Sequence, residues 1–389
     1  MVKVNTLLFM TIQELNMPLC YPDYTNSILN LSSSLLKHYT HSAPCPTLSC
    51  LDDVLKKKYK NVVLIIYDGM GLTPLTQNLH TDSFLKRHIK KTITSVFPPT
   101  TTAATTTLYS TLSPIQHGWL GWACYFKEKN QIIELFTGKD FYTQLPVDIQ
   151  VGSVLKYENM CSRIEKATNN HVKTHMVFPP FQPQGVKSVP EQCQKIVDIC
   201  SQQGENFILS YWTEPDHTMH IQGPTAESVK IILKEIDSEV EKMCHKLNNT
   251  LIIITADHGQ IERKSTYCIN EYPKLLECLK YPLSLEERAV SVFVKDGMHK
   301  QFESAFKKHL SKDFILMVKE QVLSEHLFGY GTPHPKSLDF IGDYLIIATS
   351  DKSLIQHVPG EAPQENLTGI HAGLSADEML VPLILIEKK

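Results

Sequence analysis

The sequence lacks the features that would place the chain in a membrane or among secreted, disulfide-bonded proteins. No apolar run approaches the roughly 18 residues that a membrane-spanning helix needs. The apolar stretch at 7-10 is interrupted by Gln13 and Glu14, too early for the core of a signal peptide. The ten cysteines form no CxxC pair and no repeated spacing, a pattern typical of reduced thiols. We therefore expect a cytoplasmic protein with no membrane partner.

The sequence also has no large excess of positive or negative charge. The formal net charge is -3, and the densest basic run is the short segment at 56-58, which is more typical of a solvated helix end than of a polyanion-binding patch. No nucleic-acid partner is therefore expected. With 42% hydrophobic residues, the composition is that of an ordinary globular protein and not of a disordered one.

Strand-like and helix-like segments alternate along most of the chain. Apolar runs predict strands at 61-67, 172-178, 206-212 and 250-255, and amphipathic patterns predict helices at 101-112 and 225-247. Such alternation is typical of a mostly parallel central sheet covered by helices on both faces. The predicted fold class is therefore α/β.

The same pattern divides the chain into three regions. Residues 1-60 are polar and rich in turns, and we interpret them as an N-terminal extension that packs on the core. Residues 61-261 and 341-389 are predicted to form the α/β core. Residues 262-340, where the alternation is lost, are predicted to form a smaller inserted α+β cap.

Several predicted strands end in residues that commonly bind metal ions. Asp68 follows the strand at 61-67, and Asp257 with His258 follows the strand at 250-255. Ligands of open α/β sheets bind beyond the carboxyl ends of the strands. After the strand at 206-212, Asp216 and His220 are four residues apart, so a helical turn would place both on one face.

His371, between two glycines, completes a set of six candidate ligands. Each member alone has an ordinary alternative, because an Asp after a strand is often a helix cap and a single His often packs in the core. Recurrence at several strand ends favours metal binding. Carboxylates with imidazoles suit Zn²⁺, or Mn²⁺ or Fe, better than Ca²⁺.

Threonines crowd the segment 100-107, which follows Phe97 and two prolines. One interpretation is a helix cap followed by a buried Thr/Ala face. The other is a nucleophile: a hydroxyl at a helix N-terminus beside a cation can be held as an alkoxide and attack phosphorus. The composition of the segment leaves both interpretations open.

At these residues the sequence resembles the alkaline phosphatase superfamily, and within it the type I phosphodiesterase/nucleotide pyrophosphatase branch. The matching segments, in family order, are 67-71, 97-101, 113-118, 214-220, 255-259 and His371. The resemblance implies two zinc-like sites, one formed by Asp216, His220 and His371, and the other by Asp68, Asp257 and His258. It also implies that Thr101 is the nucleophile and a ligand of the second site, with Thr100 and Thr102 as alternatives by a register shift of one.

The activity implied by the resemblance is metal-dependent hydrolysis of phosphodiester or pyrophosphate bonds in a small nucleotide-like substrate, through a covalent phospho-threonine intermediate. A phosphomonoesterase or phosphonate hydrolase of the same superfamily is the nearest alternative. A catalytically inactive metal-binding module is an alternative from a different class. A sulfatase is disfavoured because the chain has no Cys/Ser-x-Pro-x-Arg segment.

One segment departs from the family pattern. The family carries an asparagine, which contacts a phosphoryl oxygen, about two turns beyond the His117-Gly118 pair, whereas this chain has Trp119 and Trp122 there. These two side chains could stack on a planar substrate group or pack the loop against the core. His334 is a further candidate substrate contact. The sequence does not identify the residue that replaces the asparagine, nor the oligomeric state.

Overall fold

The computed structural model describes residues 17–363 and 366–389, so residues 1-16 of the predicted N-terminal extension lie outside the described part. The strands are β1 (Asn61–Tyr67), β2 (Ile89–Thr94), β3 (Ala123–Phe126), β4 (Gln131–Glu134), β5 (Val172–Val177), β6 (Glu205–Trp212), β7 (Thr250–Thr255), β8 (Ile261–Glu262), β9 (Ser265–Cys268), β10 (Ser284–Leu285), β11 (Ala289–Val292), β12 (Phe314–Val318), β13 (Tyr344–Ala348), β14 (Lys352–Ile355), β15 (Gly369–Ile370) and β16 (Leu380–Lys388).

Helices connect these strands and cover the sheets. They are α1 (Ile28–Thr40), α2 (Ser49–Leu55), α3 (Leu72–Asn78), α4 (Phe84–Arg87), α5 (Thr101–Ser110), α6 (Pro114–His117), α7 (Val151–Val154), α8 (Met160–Ala167), α9 (Val189–Ser201), α10 (Asp216–Gln222), α11 (Glu227–His245), α12 (Pro273–Leu276), α13 (His299–His309), α14 (Lys319–Ser324), α15 (Pro335–Phe340) and α16 (Ala376–Met379), with a 3₁₀ turn at Ile269–Glu271. Within the described ranges, no helix combines the length and the apolar character needed to cross a bilayer.

The central sheet has the strand order β2-β16-β7-β1-β6-β5. Strands β5, β6, β1 and β7 are parallel, while β16 runs antiparallel to both of its neighbours. Every residue of β1 and β7 is buried, because helices cover both faces of the sheet, and this burial explains their unbroken apolar runs. The predicted α/β class with a mostly parallel sheet is confirmed.

The helices on this sheet share one hydrophobic core with it. Helix α11 buries Val229, Leu233, Ile236 and Val240, which lie on one helical face because they recur at intervals of three and four residues. Helix α1, from the N-terminal region, buries several residues in the same core. The described part of the N-terminal region therefore packs directly on the central sheet.

A second sheet is antiparallel and has the order β12-β13-β11-β10-β3-β4. It has its own core on each face. Strands β3, β4 and β13 belong to it, although the boundaries predicted from the sequence assign them to the α/β core and only 262-340 to the cap. The apolar run of β13 resembles that of a core strand, and strand partners distant in sequence cannot be inferred from such a run.

Candidate active site

The predicted metal ligands meet at one edge of the central sheet. Strands β1, β6 and β7 are adjacent and parallel, so their carboxyl ends lie side by side. Asp68 follows β1, and Asp257 with His258 follows β7, while α10 begins at Asp216 after β6. Two backbone hydrogen bonds join these loops: the Asp68 N–H donates to the Trp212 carbonyl at 2.9 Å, and the Asp216 N–H donates to the Asp68 carbonyl at 3.0 Å.

Glycines allow the loops to approach one another. Gly69 has a φ of +69°, and a Cβ added to it would lie 2.8 Å from the Cβ of Asp216. A Cβ on Gly71 would lie 2.4 Å from the Cα of Gly259. A side chain at Gly69 would push the loop after β1 away from the start of α10, and one at Gly71 would push it away from the loop after β7, which would separate the candidate ligands.

Asp216, His220 and His371 form one group of potential ligands. The Nε2 atom of His220 lies 3.2 Å from Asp216 Oδ2, and that of His371 lies 4.0 Å from Asp216 Oδ1. One ligand atom from each of the three residues lies within 4.8 Å of the others. Helix α10 places Asp216 and His220 one turn apart on the same face.

Asp68, Asp257 and His258 form a second group with Thr101. The Nε2 atom of His258 lies 3.4 Å from Asp68 Oδ1, 3.5 Å from Asp257 Oδ2 and 3.2 Å from Thr101 Oγ1. Asp216 also lies within 4.8 Å of Asp68 and His258 by its ligand atoms. The rings of His258 and His371 stack with centroids 3.9 Å apart. The two groups therefore adjoin, with Asp216 between them.

The three imidazoles are oriented as metal ligands. The Nδ1 atom of His220 is 2.8 Å from the Gly369 carbonyl, that of His258 is 3.0 Å from the Gly259 carbonyl, and that of His371 is 3.0 Å from the Pro99 carbonyl. A carbonyl only accepts, so each Nδ1 is placed to donate to it and each Nε2 faces the cluster, where it can offer a lone pair to a cation once it carries no proton. This second-sphere arrangement is common at metal centres.

Within this cluster, two buried carboxylate oxygens have no hydrogen-bond donor among the described residues: Asp68 Oδ1 and Asp257 Oδ2. Their partner oxygens are satisfied, because the Tyr211 hydroxyl donates to Asp68 Oδ2 and the backbone N–H groups of Gly69 and His258 donate to Asp257 Oδ1. A buried anionic oxygen without a partner is costly. Both unpaired oxygens lie near the Nε2 atom of His258. A cation bound by these three atoms would satisfy both oxygens, so the residues fit a metal ion.

The electrostatics of the cluster agree with this interpretation. Burial, and next to it repulsion from Asp257, raises the pKa of Asp68 well above its ordinary value. Burial also raises the pKa of Asp257 against the attraction of His258. At the other group burial is outweighed by attraction between the partners, which lowers the pKa of Asp216 and raises that of His220 to about 9. When no cation is bound, residues of the cluster that could coordinate a cation keep their protons instead.

Thr101 is the first residue of α5, and Thr100 is its N-cap. Its hydroxyl contacts the cluster through His258, whereas the neighbouring hydroxyls do not: Thr100 Oγ1 donates to Glu286 at 2.6 Å, and Thr102 is fully buried. The remaining threonines to Thr107 lie on the buried part of the helix. The structural interpretation of the threonine run therefore applies to the residues after Thr101, while Thr101 is the threonine whose hydroxyl contacts the cluster.

The three predicted substrate contacts, Trp119, Trp122 and His334, each have structural partners in the described part of the chain. The buried Trp119 donates its indole N–H to the Leu155 carbonyl at 3.0 Å and packs on Phe136 and Tyr157. His334 caps α15 by accepting the Lys336 N–H at 3.1 Å. Neither residue makes a hydrogen bond or a ring contact with a metal-ligand candidate, because packing and capping occupy both side chains.

Trp122 packs edge-on against Phe136, with ring centroids 6.0 Å apart. Its backbone N–H donates to Glu286 Oε1 at 2.7 Å. The ring of Trp122 therefore belongs to the packing of its loop, while its backbone is bonded to a carboxylate that also binds Thr100.

Three residues at the site were not predicted from the sequence. Tyr211 binds Asp68, Gln260 donates to Asp216 Oδ1 at 2.7 Å, and Glu286 binds Thr100. Gln260 directly follows the Asp257-His258-Gly259 segment, and its position could have suggested a role. Tyr211 and Glu286 carry no such signal, because Tyr211 is one residue of an apolar strand and Glu286 lies in a mixed segment far from the candidate ligands in sequence.

The family model for type I phosphodiesterase / nucleotide pyrophosphatase matches residues 62–357. The chain therefore belongs to this family. A murine ectonucleotide pyrophosphatase/phosphodiesterase 5, in an inactive form in complex with AMP, has the same fold, with a TM-score of 0.63 and 17% sequence identity over 84% of this chain and 87% of that one.

Two curated relatives match parts of the sequence. Human ectonucleotide pyrophosphatase/phosphodiesterase family member 5 is 26% identical over 170 residues, 41% of this chain and 35% of the relative. The bis(5'-adenosyl)-triphosphatase of Bos taurus is 34% identical over 71 residues, 16% of each protein. The aligned part of the chain thus spans well under half the length of either curated relative.

Proposed function

We propose that this chain is a metal-dependent hydrolase that cleaves phosphodiester or pyrophosphate bonds in a nucleotide-like substrate, with Thr101 as the nucleophile. One observation carries the proposal: the Thr101 hydroxyl, at the start of a helix, lies 3.2 Å from His258 Nε2, beside two buried carboxylate oxygens that have no donor among the described residues. The AMP complex of the murine relative and the activity in the name of the bovine relative support the nucleotide-like substrate.

Two divalent ions would occupy the two groups of ligands. Asp216, His220 and His371 would hold one, and Asp68, Asp257 and His258 would hold the other together with Thr101. Three imidazoles with three carboxylates suit Zn²⁺, or Mn²⁺ or Fe, better than a hard oxygen-preferring ion. When bound, such ions lower the pKa of a coordinated hydroxyl and neutralise charge on phosphoryl oxygens.

Thr101 would act in two steps. Its Oγ attacks phosphorus, a Thr–O–P bond forms, the bond from phosphorus to the leaving oxygen breaks, and the hydroxyl proton is released to solvent. Water then hydrolyses the phospho-threonine and restores Thr101. The N-terminus of α5 favours the alkoxide and the phosphoryl anion through the helix dipole.

Two substitutions test the assignment with bis-p-nitrophenyl phosphate as the substrate. Thr101→Ala should abolish hydrolysis and leave two metal ions per chain. Asp257→Asn should lose metal and activity together. Full activity in the first variant would overturn the nucleophile, and unchanged metal content in the second would overturn the ligand.

A panel of nucleotides, cyclic nucleotides, sugar nucleotides, phosphomonoesters and phosphonates tests the substrate class. Fastest turnover of a diester or a pyrophosphate is expected. Fastest turnover of a monoester or phosphonate would favour the related hydrolases of the superfamily. Stable metal binding without turnover of any member would indicate an inactive metal-binding module.

We also propose a reducing, cytoplasmic location. All ten cysteines lie within the described residues as free thiols, as expected for a reducing compartment. Cell fractionation with immunodetection tests this proposal, and recovery in a secreted fraction would contradict it.

A further inference from the structure

Glu286 connects the nucleophile to the loop that departs from the family pattern. It lies between β10 and β11 of the second sheet, where that sheet meets the active site. Its Oε1 atom accepts two hydrogen bonds, from the Thr100 hydroxyl at 2.6 Å and from the Trp122 N–H at 2.7 Å. One carboxylate oxygen is thus fixed to the residue before Thr101 and to the loop at 119-122.

The other oxygen, Oε2, is free to meet a substrate. It has no hydrogen-bond partner in the described part of the chain, and it is not among the buried atoms left without one. The charge of Glu286 acts on His258 and on His220, which belong to different groups of metal ligands. The Glu286 carboxyl therefore acts electrostatically on both sets of candidate metal ligands. It lies on the side of the cluster next to Thr101.

Building on the function proposed above, we infer that Glu286 is a substrate-contact residue whose Oε2–H donates a hydrogen bond to a non-bridging oxygen of the phosphoryl group that Thr101 attacks. Because both bonds from the protein reach Oε1, a proton on the carboxyl group belongs on Oε2. The group then supplies the donor that an asparagine would supply from the loop at 119-122.

The surroundings of Glu286 favour the protonated form. Burial raises its pKa to about 7, although the hydrogen bond from Thr100 opposes the rise. His258 also lowers this pKa and the neighbouring Glu287 raises it, while the thiol of Cys124 is the remaining titratable group that senses its charge.

Two bound divalent ions would lower the pKa of Glu286, and the anionic groups around them would oppose this effect. Three aspartates and a threonine alkoxide would offset the charge of two divalent ions. A bound phosphoryl anion would raise the pKa of Glu286 further.

The inferred contact also affects substrate choice. A carboxyl group in this position repels a substrate of high negative charge once it ionises. A diester with one negative charge on phosphorus is therefore favoured over a monoester dianion.

The test compares wild type with Glu286→Gln and Glu286→Ala, using bis-p-nitrophenyl phosphate, which carries one negative charge between pH 5.5 and 9. The wild-type kcat/KM should fall as the pH rises through about 7. Glutamine accepts the same two hydrogen bonds and keeps a donor at every pH, so this fall should disappear in Glu286→Gln. Glu286→Ala should lower kcat/KM at pH 6 by roughly 10²-fold, as the loss of an oxyanion donor does.

A matched control is Glu287→Gln. This neighbouring carboxylate pairs with Arg263 at 3.4 Å and its pKa is also raised, chiefly by burial. The variant should keep the wild-type pH profile. An unchanged profile in Glu286→Gln, or activity of Glu286→Ala within twofold of wild type at pH 6, would overturn the inference.

A binding experiment separates this inference from the proposed function. Zinc-loaded Thr101→Ala should bind bis-p-nitrophenyl phosphate more weakly as the pH rises through 7, and adding Glu286→Gln should remove that dependence. Absence of turnover in wild type would refute the proposed function, whereas this binding still tests Glu286. Binding that is undetectable at pH 6, or equally pH-dependent in both variants, would refute the contact itself.

Discussion

Glu378→Gln should destabilise the protein through a buried ion pair that holds the His371 loop. Glu378 accepts from Arg288 Nε at 2.7 Å and Arg288 Nη2 at 2.8 Å, and both side chains are 0% exposed. It also accepts the N–H of Gly373 at 2.7 Å and the hydroxyl of Ser375 at 2.6 Å. The substitution keeps the shape of the side chain and leaves the Arg288 charge buried without a counter-charge.

The expected loss is about 3–5 kcal/mol, the usual cost of breaking a buried pair by removing one partner. A chain of 389 residues has an unfolding entropy of roughly 0.8 kcal/mol/K near its midpoint, so Tm should fall by about 4–6 °C. Thermal unfolding followed by circular dichroism measures the shift. Because Gly373 is two residues from His371, the variant should also lose metal from that group more readily to a chelator.

An exposed pair provides the control. Lys56 and Asp53 lie 2.6 Å apart with side chains 76% and 68% exposed, and exposed pairs contribute little. Lys56→Met should therefore leave Tm unchanged. If Glu378→Gln also unfolds at the wild-type temperature, the buried pair does not anchor the loop and the reasoning fails.

Three further outcomes are expected. Tyr211→Phe, which removes the donor to Asp68, should weaken zinc binding by roughly 10–100-fold in chelator competition; equal affinity would contradict the second-sphere role. Zinc binding at pH 7 should release protons, because the pKa of His220 is about 9 and that of Asp68 is raised while both must bind deprotonated; calorimetry in two buffers measures this, and affinity should rise with pH. Trp119→Phe should cost about 0.5–1.5 kcal/mol of stability through the lost bond to Leu155 without changing KM, and a raised KM would instead indicate substrate stacking.

The central sheet and the residues that cluster at its edge could be predicted because they follow from local patterns. Parallel strands buried on both faces are continuous apolar runs, and in this fold the residue after such a run lies at the edge where the loops meet. Asp68, Asp257 and His258 are all of this kind. His371 follows only a two-residue strand, so its place in the set depended on the family resemblance.

The second sheet and Glu286 could not be predicted for a related reason. Strand β13 pairs with β11 and β12, but its apolar run has no feature that distinguishes it from a strand of the central sheet. Glu286 stands beside another glutamate and an arginine, a pattern that resembles a solvated turn. Its hydrogen bond with Thr100 joins residues far apart in the sequence, and no local pattern indicates such a contact.

For the aromatic and histidine candidates, the residue type suggested a role in substrate binding, whereas the structure shows local packing and capping roles. Trp119 and His334 suggested substrate contacts from their residue type, yet a buried indole needs an acceptor and a His before a helix can serve as its cap. Both requirements are met locally, and neither side chain makes a hydrogen bond or a ring contact with a candidate metal ligand.

The most direct test of the account is detection of the covalent intermediate on Thr101. The zinc-loaded protein is mixed with bis-p-nitrophenyl phosphate, quenched in acid within milliseconds, digested and analysed by mass spectrometry. The account predicts p-nitrophenyl phosphate attached to Thr101, with one p-nitrophenolate released per adduct formed, and no adduct in Thr101→Ala. Turnover with an unmodified Thr101 peptide, or an adduct on Thr100 or Thr102, would contradict it.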